Sequence, residues 1–90
     1  MFSITLSKES QSFLKDLEPK RYKQVQEKIL GLQEEAHPQA STALIAHKGF
    51  YRLKVGDYRV VYSVKDAIVQ IFLIDNRGDD RVYDRLDRLL

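Results

Sequence analysis

Apolar and polar residues alternate at the start of the chain, Phe2, Ile4 and Leu6 against Ser3 and Thr5, and this period of two predicts a short strand. Ser7 then stands where a helix N-cap belongs, with a hydroxyl able to accept from a free N–H one turn on. Ser10, Phe13, Leu14 and Leu17 give the following helix one buried stripe. Glu18-Pro19 ends it, because proline disfavours helical backbone before itself and suits the first position of a new helix. From Pro19 onward Tyr22, Val25, Ile29 and Leu32 recur at i, i+3, i+7 and i+10, which predicts an amphipathic helix with all four turned inward. Together these segments predict a helical hairpin with one apolar side.

The helical period stops near Ala36-His37-Pro38. Residues 37–48 keep no clean period and read as a surface loop with Leu44 and Ile45 tucked inward; His37 and His47 lie in it as surface residues without ligand spacing. Three strands are then predicted in close order, Phe50–Val55, Tyr58–Val64 and Ala67–Asp75, separated by Gly56-Asp57 and Lys65-Asp66. Turns this short require adjacent antiparallel neighbours. Val82, Leu86 and Leu89 resume helical spacing in the tail. The fold class expected is α+β: an antiparallel sheet in the order βααβββ with a short C-terminal helix, packed in two layers against the N-terminal helical hairpin.

Length and composition narrow the class further. Ninety residues suit one domain spanning 1–90. The absence of cysteine excludes a disulfide framework and thiolate chemistry, and two histidines are too few for a metal cluster, so neither metal nor cofactor is expected. No apolar run approaches the roughly 18 residues of a membrane span, and the Met1 end carries no signal-peptide core. A cytoplasmic protein without membrane contact is the expectation.

Net charge is only +2, but its distribution is uneven. Residues 1–46 balance to zero and residues 66–90 to −2, whereas residues 47–65 carry Lys48, Arg52, Lys54, Arg59 and Lys65 against Asp57 alone. A basic stretch within strands favours an anionic partner, most simply a phosphate backbone, unless it only decorates a solvated sheet face. Arg52 and Lys54 share one face of their strand, about 6.7 Å apart. If the hairpin register puts Arg59 on that side, three cations converge. A second polar cluster runs from Asp75 to Tyr83, where Arg77 has the geometry to clamp a phosphate bidentately and Tyr83 to stack on a base or exchange a proton. The structural alternative places Asp79 and Asp80 at a helix N-terminus, Arg81 and Arg85 in pairs with them and Tyr83 in the core. Tyr51, Tyr58 and Tyr62 read as structural strand residues.

The string Tyr51-Arg52-Leu53-Lys54-Val55-Gly56-Asp57-Tyr58-Arg59-Val60-Val61-Tyr62 closely resembles the RelE/ParE superfamily of bacterial type II toxins, and the likeness continues from Ile71 through the arginine loop to Val82-Tyr83. RelE-like members are ribosome-dependent ribonucleases that cut mRNA in the A site, and ParE-like members poison DNA gyrase. The resemblance implies a RelE-like catalytic set at Arg52, Lys54, Arg59, Arg77 and Tyr83, with Lys48 and Arg81 joining Arg52, Lys54 and Arg59 in RNA binding. It implies a metal-independent attack of a 2′-hydroxyl on the adjacent phosphate, with Tyr83 or Lys54 as base, Tyr83 preferred, and Arg77 near the leaving oxygen. The implied partners are a cognate antitoxin, the ribosome and mRNA, with DNA met only indirectly through the antitoxin complex. The alternatives are a gyrase inhibitor and an inactive antitoxin-binding relative.

Overall fold

The computed structural model describes residues 1–76 and 79–89, without the side chains of 79 and 80. The elements follow the order β1 (Ser3–Leu6), α1 (Lys8–Lys15), α2 (Pro19–Gly31), β2 (Ser41–Ala43), β3 (Phe50–Val55), β4 (Tyr58–Lys65), β5 (Ile68–Asp75) and α3 (Asp79–Leu89). All five strands form one sheet in the spatial order β1-β5-β4-β3-β2.

The α+β class holds, but the sheet is mixed rather than antiparallel. β1 runs parallel to β5, pairing Ser3 with Ile68 and Leu6 with Ile71. Everything from α1 through β4 lies between these two strands in the chain, and no local pattern announces so distant a pairing. Within the stretch expected to be loop, residues 41–43 add the edge strand β2 antiparallel to β3.

Local chemistry sets the remaining boundaries. The Ser7 hydroxyl caps α1, accepting the Ser10 N–H at 3.1 Å and donating to the Phe72 carbonyl at 2.8 Å, so one side chain starts the helix and ties it to β5. α2 begins with Pro19 and has no side-chain cap. The β4–β5 turn puts Asp66 and Ala67 at φ 53° and 62°, both in the left-handed region that a two-residue hairpin with the native twist demands.

One sheet face carries the larger core. Val25, Ile29 and Leu32 of the α2 segment and Leu14 of α1 pack with Leu53, Val55, Val60, Tyr62, Val69 and Ile71. Tyr22 departs from the expected stripe and is 37% exposed, because the buried arc of α2 is centred on Val25 and Ile29. Tyr62 stacks on Tyr51 at 5.6 Å between ring centroids, and its hydroxyl donates to the Ala36 carbonyl at 2.7 Å. Burial pushes the Tyr62 phenol above its ordinary range of 10.0.

The opposite face has its own smaller core, so the sheet is covered on both sides where two layers were expected. Val82 and Leu86 of α3 pack on Val61, Leu73 and Leu44, with Phe50, Phe72 and Tyr83 at the margin. A register shift between Val61 and Tyr62 against β5 lets Phe72 and Leu73 both join this cluster. Leu44 is buried as expected, but Ile45 is fully exposed, since the chain leaving β2 turns only one of the two inward. Leu89 is also exposed.

Candidate functional site

The two-residue Gly56-Asp57 turn fixes the register of β3 and β4, with Gly56 supplying φ +57°. That register pairs Lys54 directly with Arg59 and Arg52 with Val61. Since side chains alternate along a strand, Arg52, Lys54 and Arg59 all lie on the face that α3 partly covers. The condition for their convergence is met, and the cations occupy the end of that face beyond the small apolar core.

Each cation is held differently. Lys54 is exposed. Arg52 Nη2 donates to Thr42 Oγ1 of β2 at 3.1 Å, so the strand missed in the sequence orients it. Arg59 Nη1 donates to the Gly56 carbonyl at 2.9 Å and to the Tyr58 carbonyl at 3.0 Å, anchoring the guanidinium to its own turn. Lys48 is exposed on the β2–β3 connection. Arg77 lies outside the described residues.

Arg59 has a second neighbour, Asp75 at the end of β5. Asp75 is only 3% exposed, and its Oδ2 accepts from Arg85 Nη1 at 2.9 Å and faces Arg81 Nε at 3.5 Å. Arg85 Nη2 reaches on to Glu9 Oε2 of α1 at 3.0 Å. Arg81, expected among the RNA-binding cations, is 59% exposed at its side chain and paired with this buried carboxylate. Asp75 thus offsets part of the positive charge beside Arg59 and ties α3 to the sheet.

The other flank of α3 borders a cavity of about 330 Å³ lined by Thr42, Ala43, Leu44, Ile45, Ala46, His47, Tyr83 and Asp87. Tyr83 is half-buried there, packed at the margin of the small core and lining the cavity. His47 corrects the expectation of a plain surface residue. Its Nε2 lies 2.6 Å from Asp87 Oδ1, its ring meets Phe50 edge to face, and its side chain is 14% exposed. Sequence reasoning missed this contact because the partners stand 40 residues apart with no spacing signal. Among the described residues no group of three or more His, Cys, Asp or Glu is arranged to hold a metal ion, and no helix is long and apolar enough to cross a membrane.

The arrangement puts three cations on one sheet face, and Thr42, which holds Arg52, also lines the cavity that contains the Tyr83 phenol and the His47 imidazole. Comparison with known proteins places this architecture. The RelE–RelB complex of Pyrococcus horikoshii OT3 matches with a TM-score of 0.75 at 27% identity, over 86% of this chain and 96% of that one. The isolated E. coli RelE toxin matches over the full length of both chains with a TM-score of 0.75 at 20% identity. The RelB–RelE complex of Methanococcus jannaschii gives 0.67 at 17% identity, over 89% and 95%. None of the curated proteins compared with the chain matches it. The family model described as the ParE toxin of type II toxin–antitoxin system, parDE, matches residues 4–81. With that match across most of the sequence and RelE-like folds around it, the chain belongs to the ParE toxin family, within the RelE/ParE superfamily of type II toxin–antitoxin toxins.

Proposed function

We propose that this toxin is a ribosome-dependent endoribonuclease that cleaves mRNA in the A site. The observation that carries the reading is the cross-strand cation array: Lys54 opposite Arg59, with Arg52 on the same face and oriented by Thr42. Attack of a 2′-hydroxyl on the neighbouring phosphate gathers negative charge on the phosphoryl oxygens, and fixed cations stabilise that charge more than they stabilise the ground state. The reaction also needs one group to take the 2′-hydroxyl proton and another to give a proton to the departing 5′-oxygen. Tyr83, in the cleft beside the array, performs one of these transfers. Arg cannot readily give up its proton, so Arg52, Arg59 and Arg77 serve as hydrogen-bonding cations. The ribosome supplies the orientation of the RNA that so open a surface does not.

The antitoxin is a protein that covers this basic face, in keeping with the toxin–antitoxin complexes among the similar structures. The chain acts in the cytoplasm, where the ribosome and message are met.

A gyrase inhibitor is the second reading, favoured by the family model itself, which is that of the ParE toxin. The two readings separate in one experiment. After brief induction, 5′ ends are mapped on a translated message and on an untranslatable copy. Cuts within codons of the translated copy alone support the nuclease. Intact message with arrested growth supports the gyrase reading, and intact message with normal growth leaves an inert relative.

A further inference from the structure

His47 and Asp87 are in contact, and neither belongs to the two apolar clusters. One comes from the β2–β3 connection and the other from the exposed side of α3, and they meet at 2.6 Å on the rim of the cavity that Tyr83 also lines. Tyr83 and Asp87 are four residues apart and therefore share one face of α3. Thr42, which accepts from Arg52, also lines this cavity. The cation array and the cleft that holds a phenol, an imidazole and a carboxylate thus share Thr42.

An ionised carboxylate only accepts hydrogen bonds, so in the neutral form of the His47 ring the contact with Asp87 favours the tautomer with its proton on Nε2 and the lone pair on Nδ1. We propose that His47 is a catalytic residue of the candidate nuclease, the general base for the 2′-hydroxyl of a ribonucleotide, and that Asp87 is its positioning residue. The inference rests on the nuclease reading above and assigns the proton acceptor that the reading requires.

The step balances as follows. Nδ1 of His47 takes the 2′-hydroxyl proton while the 2′-oxygen bonds to phosphorus. The bond from phosphorus to the 5′-oxygen breaks, and that oxygen takes the Tyr83 phenolic proton. The products are a 2′,3′-cyclic phosphate and a 5′-hydroxyl end. Water carries the proton from the imidazolium and returns one to the phenolate. Tyr83 and Asp87 are the ionisable groups that share the cavity lining with His47.

The test is single-turnover cleavage of message on programmed ribosomes, followed across pH, with the wild-type chain and three variants. His47→Gln keeps an N–H for Asp87 but cannot accept the proton. The expected loss is about 100-fold or more in the cleavage rate, with ribosome binding and melting temperature near wild type. His47→Ala is expected to regain activity when free imidazole is added, and Asp87→Asn to slow cleavage with ribosome binding near wild type. A His47→Gln rate within about threefold of wild type, with an unchanged pH profile, would overturn the assignment and leave His47 as a clasp between loop and helix. Absence of imidazole rescue in a folded His47→Ala chain counts against it equally. If the wild-type chain cuts no message at all, the nuclease reading falls first and takes this assignment with it.

Discussion

Asp75 lies directly across from Arg59 in the β4–β5 pairing, and it is the buried carboxylate among the described residues. Its neutralising partners come from α3, so the helix is docked by charge as well as by Val82 and Leu86. The two ends of this contact are not equivalent. Arg81 and Arg85 reach solvent, whereas Asp75 does not. Removing the carboxylate frees arginines that water can solvate, while removing Arg85 takes the shortest ion pair shown, 2.9 Å, from a buried charge. Arg85→Ala is therefore expected to cost about 2–3 kcal/mol and Asp75→Asn about half as much. Urea unfolding of the two variants checks the order, and a larger cost for Asp75→Asn contradicts it.

Tyr62 couples stability to alkaline pH. Its buried phenol donates to the Ala36 carbonyl, and burial raises its pKa above 10.0. A raised folded-state value means the native state holds the proton more tightly than the unfolded chain. The contribution is then fully present below pH 10 and is lost as pH rises through the folded value. Tyr62→Phe is expected to cost about 1–2 kcal/mol at neutral pH, since it orphans a buried carbonyl. It should also flatten the decline of stability above pH 10. Denaturation series from pH 8 to 11 on both proteins read this directly.

Ala67 occupies a left-handed backbone position at φ 62°, where a Cβ meets the neighbouring carbonyl. Ala67→Gly relieves about 1–2 kcal/mol of that strain and adds some unfolded-chain entropy, leaving a net gain of about 0.5–1 kcal/mol. A melting temperature a few degrees higher is the expected outcome. A lower one would mean that the Asp66-Ala67 turn is not strained.

The limits of sequence reading show in particular residues. The β3–β4–β5 meander was legible because period-two alternation and two-residue turns are local, and those turns also fix the register that gathers Arg52, Lys54 and Arg59. The Ser7 cap was legible for the same reason. The parallel β1–β5 pair was not, since Ser3 and Ile68 are neighbours only in the folded chain. Nor was β2, a three-residue edge strand too short to show alternation. Contacts that hold the candidate site, Thr42 to Arg52, Asp75 to Arg85 and His47 to Asp87, each join separate elements, and spacing along the chain carries no trace of them.

Tyr22 and Ile29 turn that lesson into a measurement. Both belong to the stripe that the sequence predicts for α2, yet Ile29 is 3% exposed and Tyr22 37%. Ile29→Ala opens a cavity against the sheet and is expected to cost about 2–4 kcal/mol. Tyr22→Ala trims a ring at the partly exposed margin of the core and is expected to cost less, about 1 kcal/mol. Equal losses would place Tyr22 in the core after all.

The cation array predicts a salt signature on single-stranded RNA. Lys54 is exposed beside Arg59 on the sheet face, whereas Lys20 is exposed on α2, on the far side of the sheet. Each phosphate that a cation neutralises releases counterions, so affinity falls with salt by a slope of about 0.7 per contact for single strands. Lys54→Ala is therefore expected to weaken binding of a short RNA oligonucleotide several-fold and to lower the slope by about 0.7. Lys20→Ala changes the net charge identically but should leave the slope unchanged. Fluorescence anisotropy at four salt concentrations separates the two, because a purely global charge effect moves both variants together and a localised phosphate site moves only Lys54→Ala.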